Sequence, residues 1–224
     1  MGEIVGLTAS DGQELDAYVS QPSNEPIAGL VVIQEAFGVN HHIRSVAGSY
    51  AKDGFLAVAP ALFDRIERGV ELGYGGADLQ KGIALARRID PPDATTDVAV
   101  ALEYLSKHGA KKCGVIGYCF GGTMAWLSAT RLNPDAVVGY YGGNIASFAQ
   151  ENPHCPVMLH FGTLDKHIPK EGIDRVHTLH PEVQIFWYEA DHGFNCDERA
   201  SYNAVAAKQA RDRSLEFLKK HLGK

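Results

Sequence analysis

Six short apolar runs constrain this chain more than any other feature. They cover residues 29–33, 55–59, 112–117, 136–140, 157–161 and 183–188, each bounded by Gly, Pro or polar residues. None approaches the ~18 apolar residues of a membrane span. Runs that lack the polar–apolar alternation of a half-exposed strand suit the inner strands of a parallel sheet, buried on both faces. Longer amphipathic stretches separate them and read as helices over 43–53, 78–88, 93–107, 123–130 and 202–222. The helix over 93–107 is expected to start on Asp93 as its cap, and the last helix carries basic residues in its final turn, as the helix dipole favours. Asp11-Gly12 marks a turn between two early strands, 4–9 and 14–19. Strands alternating with helices give an α/β fold class, one domain over 1–224 with a mostly parallel sheet and helices on both faces. Residues 64–92 are less regular, and they suit a lid, a pocket-wall insertion or a plain surface excursion equally.

Charge and cysteine usage then exclude whole classes of function. Lys and Arg number 21 against 27 Asp and Glu, a formal net charge of −6. That leaves no basic footprint for a nucleic-acid partner. The start, Met1-Gly2-Glu3-Ile4, lacks the basic-then-apolar layout of a secretion signal, and Gly6 stands where a myristoylation motif needs Ser or Thr. A cytoplasmic protein with no membrane partner is the expectation, a monomer by default. Cys113, Cys119, Cys155 and Cys196 form no C-x-x-C pair, so neither a zinc ribbon nor a thioredoxin motif is offered. His41-His42 stand without a second ligand cluster, so no metal and no cofactor are expected.

The most informative stretch runs from Gly114 to Gly122, G-V-I-G-Y-C-F-G-G. A buried strand leads directly into G-x-C-x-G, and an Ala-rich helix follows. This is the strand–turn–helix setting of a nucleophile elbow. The nucleophile sits on a sharp, strained turn, and glycines let the backbone pass closely there. The helix N-terminus behind Cys119 favours a thiolate, and the Phe120 N–H is placed to donate to an oxyanion. Two later strands supply the partners. The run 157–161 leads into a loop holding Asp165, and 183–188 leads into Glu189-Ala190-Asp191-His192. The order Cys119, Asp165, His192 is the nucleophile–acid–base order of hydrolases built on such sheets. Each residue follows its own strand, so all three are expected along one sheet edge.

Several segments together resemble the dienelactone hydrolase family of α/β-hydrolases, over nearly the whole chain. They are Gln34-Glu35-Ala36-Phe37-Gly38-Val39-Asn40, Gly117-Tyr118-Cys119-Phe120-Gly121-Gly122, Gly139-Tyr140-Tyr141-Gly142, Asp165 with Ile168-Pro169, and Trp187-Tyr188-Glu189 leading to His192-Gly193-Phe194. The resemblance implies Cys119 as nucleophile, His192 as base and Asp165 as the group that orients it. It implies Glu35 beside the thiol, helping to switch its activation, and an oxyanion hole from the Ala36 and Phe120 N–H groups. The implied activity is hydrolysis of small lactones or esters, so the expected partner is a small-molecule ester or lactone. By position alone, Glu35 follows a buried strand, where a carboxylate is costly unless paired or functional. Phe37, Tyr141 and Phe194 are expected against the substrate, although Phe37, Tyr141 and Trp126 read better still as core aromatics.

One departure stands out. Family members that hydrolyse dienelactones carry an Arg shortly after the His-x-Phe, whereas Asn195 and Cys196 stand here and the next arginine is Arg199. No matching arginine can be placed within 64–92, where Arg65, Arg68 and Lys81 are merely nearby cations. A carboxylated substrate therefore loses its expected anchors, while the hydrolytic chemistry does not. Two rival readings compete with ester hydrolysis. A glutamine amidotransferase also uses an elbow cysteine with a His-Pro-Glu, but here His180-Pro181-Glu182 precedes a strand instead of following one. A reactive-thiol sensor needs an exposed low-pKa cysteine and has no use for His192.

Overall fold

The computed structural model describes residues 2–223; Met1 and Lys224 lie outside the described residues. Eight strands form one sheet: β1 (Glu3–Thr8), β2 (Glu14–Ser20), β3 (Ala28–Ile33), β4 (Phe55–Pro60), β5 (Cys113–Tyr118), β6 (Ala136–Tyr140), β7 (Val157–Gly162) and β8 (Gln184–Tyr188). Every residue of β3 to β7 is buried, as expected of unbroken apolar runs covered on both faces. The strand order is β1-β2-β4-β3-β5-β6-β7-β8. β3 to β8 run parallel, and β2 joins antiparallel with β1 as a hairpin at the edge. The opposite edge, β8, is mostly half-buried.

The helices are α1 (His41–Lys52), α2 (Gly76–Arg88), α3 (Pro91–Lys107), α4 (Phe120–Arg131), α5 (Lys170–Leu179) and α6 (Ala204–Leu222). Neighbouring residues along a strand face opposite ways. A Cβ on Gly29 would meet Leu105 of α3, while one on Gly114, one step further along the paired strand, would meet Leu218 and Leu222 of α6. Those two helices therefore cover opposite faces.

Two helices depart from the sequence expectation in kind, one in its cap and one in its existence, while the other helix ends shift by at most three residues. α3 starts at Pro91, with Asp90 before it and Asp93 inside the first turn, so Asp93 is not the cap. Proline suits the first helical position because the N–H it lacks would have no partner there. α5 was not expected at all. It is short, carries Gly172 within it and buries only Ile173 and Val176, although these keep the three-residue spacing of a helix face. The excursion over 64–92 is tied down at its start. Asp64 accepts from the Asp16 and Gly69 amides at 2.8 and 3.3 Å, and Arg65 grips buried Asp97 with two bonds of 2.7 and 2.8 Å. None of the helices among the described residues is long and apolar enough to cross a membrane.

The strand order places the site. After β3 the chain moves to β4 on one side, then returns to β5 on the other. The loops leaving β3 and β5 thus part from adjacent strand ends, which opens a crevice. Ile33 pairs with Gly117 and Tyr118 with Tyr140, so the carboxyl ends finish level.

Candidate active site

Cys119 occupies the turn between β5 and α4 in that crevice. Its backbone lies at φ 54, ψ −115, one of two non-glycine residues with positive φ among those described. Such a conformation costs of order 1–3 kcal/mol and persists only where the surroundings enforce it. Here they do. A Cβ on Gly117 would sit 1.9 Å from the Gly121 carbonyl oxygen, and one on Gly121 would sit 2.5 Å from that of Gln34. Only hydrogen fits at either place. The Gly121 amide donates to the Gln34 carbonyl at 3.1 Å and the Cys119 amide to the Tyr140 carbonyl at 3.0 Å, which pins the turn to both neighbouring strands.

Loops after β7 and β8 bring two further groups to this turn. His192 Nε2 lies 3.1 Å from Cys119 Sγ, and His192 Nδ1 lies 2.7 Å from Asp165 Oδ2. The other Asp165 oxygen accepts from the His167 amide at 2.8 Å, so the carboxylate is fixed at both ends, and its side chain is fully buried. Burial alone drives a carboxyl pKa up. The hydrogen bond and charge of His192, with the His167 amide, outweigh it and hold Asp165 below its ordinary range. Burial likewise works against protonation of His192. The negative charge at Cys119 and the hydrogen bonds to Asp165 and Cys119 overcome it and lift the imidazole to about 10. The imidazole Nε2 and the Cys119 sulfur are in direct contact at 3.1 Å.

A cavity of about 460 Å³ opens over this group, and Ala36, Cys119, Phe120 and His192 all line it. The Ala36 and Phe120 amides donate to no other group among the described residues. Both remain available to an oxygen in the cavity.

A family model, described as the dienelactone hydrolase family, matches residues 15–222. The chain belongs to the dienelactone hydrolase family. A relative from Pseudomonas putida named carboxymethylenebutenolidase is 30% identical over 96% of this chain and 95% of its own. A crystallised Klebsiella pneumoniae chain superposes with a TM-score of 0.82 at 28% identity, covering 97% of this chain and 99% of that one. An esterase from Pyrococcus furiosus shares the fold at a TM-score of 0.75 and 15% identity, over 100% of this chain and 93% of its own.

Against the family pattern, the surroundings of the three residues hold corrections. Glu35 is 1% exposed, and its partner is Arg199 Nη1 at 3.4 Å; no hydrogen bond joins it to the thiol. Arg199, three residues beyond Cys196, is thus the cation that faces Glu35. Arg199 lies over the rings of Phe37 and Tyr74 at 5.6 and 6.0 Å. Burial alone lowers an arginine pKa, but Glu35 and the neighbouring groups hold that of Arg199 above its ordinary value. Cys196 itself is fully buried, and burial, with the Glu35 charge, pushes its thiol up to about 12.

Phe37, Tyr141 and Phe194 were expected against the substrate, but none of them lines the cavity. All three are buried, and Tyr141 packs 5.1 Å from the His192 ring and 5.3 Å from Phe194, behind the imidazole. Trp126 is a core residue that donates to the Phe148 carbonyl at 3.2 Å. The walls come instead from Ile83 and Ala86 of α2, Ile89 and Pro91 after it, Met124 of α4, and Phe148. The excursion over 64–92 therefore supplies a pocket wall. Ile83, Ala86 and Arg87 share one helix face by their three- and four-residue spacing, a signal present in the sequence but silent about what that face meets.

Proposed function

We propose that this protein hydrolyses small carboxylic esters and lactones with Cys119 as nucleophile, His192 as acid–base and Asp165 as the group that orients it. The observation that carries the reading is the unbroken chain Asp165 Oδ2–His192 Nδ1, 2.7 Å, and His192 Nε2–Cys119 Sγ, 3.1 Å, ending at a strained elbow. The carboxymethylenebutenolidase name carried by the Pseudomonas putida relative supports the ester or lactone class.

In this mechanism His192 Nε2 takes the Cys119 thiol proton and the sulfur attacks the carbonyl carbon. The carbonyl oxygen becomes an oxyanion held by the Ala36 and Phe120 N–H groups, each such donor typically worth ~3 kcal/mol. As the C–O bond breaks, His192 Nε2 gives its proton to the leaving alkoxide, and a thioester remains. Neutral His192 then takes a proton from water, the hydroxide displaces the sulfur, and the acid product leaves. In a lactone the alkoxide stays tethered and can re-attack, so its prompt protonation by His192 commits the reaction. Asp165 keeps Nδ1 protonated and stabilises the imidazolium. Glu35, held by Arg199, supplies a fixed negative charge beside the β3 loop and takes no proton in this scheme.

Hydrolysis of p-nitrophenyl acetate by the wild type, and its loss in Cys119→Ala, His192→Ala and Asp165→Ala, is the expected result. Full activity in all three variants would overturn the assignment. Cys119→Ser is expected to lose most of the rate, because a serine hydroxyl does not ionise near neutrality.

A further inference from the structure

The cavity above Cys119 is more specific in character than the ester or lactone class requires. Away from the reacting groups its wall includes Ile83, Ala86, Ile89, Met124 and Phe148, all apolar. At about 460 Å³ it falls in the roughly 300–1,000 Å³ range of small-molecule pockets, larger than an acetyl group needs. Arg87 is the one charged residue along this stretch, and it is exposed. Half-buried Arg199 faces Glu35 and does not line the cavity. Of the polar groups on the wall, the Thr123 hydroxyl already accepts from the Asn144 amide at 3.2 Å.

We infer that the preferred substrates are neutral esters with an extended apolar arm, which lies along Ile83, Ala86, Ile89, Met124 and Phe148 while the ester carbonyl reaches Cys119. The inference rests on the hydrolase reading above and names its substrate class. A carboxylate among those side chains loses its hydration with no buried donor to replace it. An alkyl chain there gains about threefold to fourfold for each methylene taken out of water. Whether the arm belongs to the acyl or the alcohol half depends on which way the ester lies, so both halves are varied in the test.

The experiment measures kcat/KM for p-nitrophenyl acetate, butyrate, hexanoate and octanoate, for acetate esters of alcohols of matching length, and for the mono-p-nitrophenyl ester of suberic acid. A rise of at least about tenfold along one neutral series is expected, with the suberate monoester below the octanoate. Ala86→Phe, which fills the trough, is expected to reduce the octanoate-to-acetate ratio by about tenfold. Should that variant fold poorly, the wild-type series decides alone. Flat profiles in both neutral series overturn the inference. So does a preference for the suberate monoester that vanishes in Arg87→Gln, which would make the trough an anion site. Absence of any Cys119-dependent turnover would instead overturn the hydrolase reading itself, so the two failures are distinct.

Discussion

Replacing Cys119 with alanine should change the titration of a residue 73 positions away in the chain. His192 stands at about 10 in the intact site against an ordinary 6.5. That gap corresponds to about 5 kcal/mol favouring the protonated ring. Burial opposes this preference, the charge at Cys119 is the largest contribution in its favour, and the hydrogen bonds to Asp165 and Cys119 follow. Cys119→Ala deletes the charge and one of the bonds while burial and Asp165 remain. The imidazole should then titrate at least one pH unit lower than in the wild type. Nitrogen-15 NMR of histidine-labelled protein, followed from pH 6 to 10.5, reads this directly. The stability consequence has a definite sign. A group whose pKa is higher folded than unfolded adds stability that is complete below 6.5 and is lost as pH rises through about 10. Titration of His192 at the same pH in both proteins would refute the coupling.

Asp165→Asn should lower kcat for p-nitrophenyl acetate by roughly 10³–10⁴-fold with a small effect on the urea midpoint, because an amide can hold the wrong imidazole tautomer. Gly121→Ala places a methyl 2.5 Å from the Gln34 carbonyl oxygen and 2.6 Å from that of Ile33. It should destabilise the fold by at least ~2 kcal/mol in urea titration and remove activity with it. Arg199→Met leaves the Glu35 carboxylate buried without its cation and should cost ~3–5 kcal/mol by the same measurement. Adding Glu35→Gln to that variant should recover most of the loss, since no unpaired charge is then left buried.

Much of this architecture is legible in the sequence, for a physical reason. Strands covered on both faces need unbroken apolar runs, and the runs at 29–33, 55–59 and 136–140 differ from β3, β4 and β6 by at most one residue at an end. The elbow is legible because its glycines answer to local contacts, the 1.9 and 2.5 Å clashes a side chain would bring. Asp165 and His192 could be placed because each follows a strand, and parallel strands finish together. The pocket wall was not legible. Ile83 and Ala86 mark an amphipathic helix, but where an excursion of nearly thirty residues folds back depends on distant ties such as Arg65 to Asp97. Arg199 was hidden for a similar reason. It reaches Glu35 through an irregular segment beginning at Gly193, whose φ of 77 turns the chain back, and in which no periodicity points to a partner 164 residues earlier.

The half-buried outer strand β8 carries the loop that delivers the imidazole, whereas the sulfur rises from the middle of the sheet. Margins of a sheet loosen before its interior does. Gentle warming or dilute denaturant should therefore disarm this molecule while most of its framework still stands, with turnover fading ahead of the spectroscopic melt.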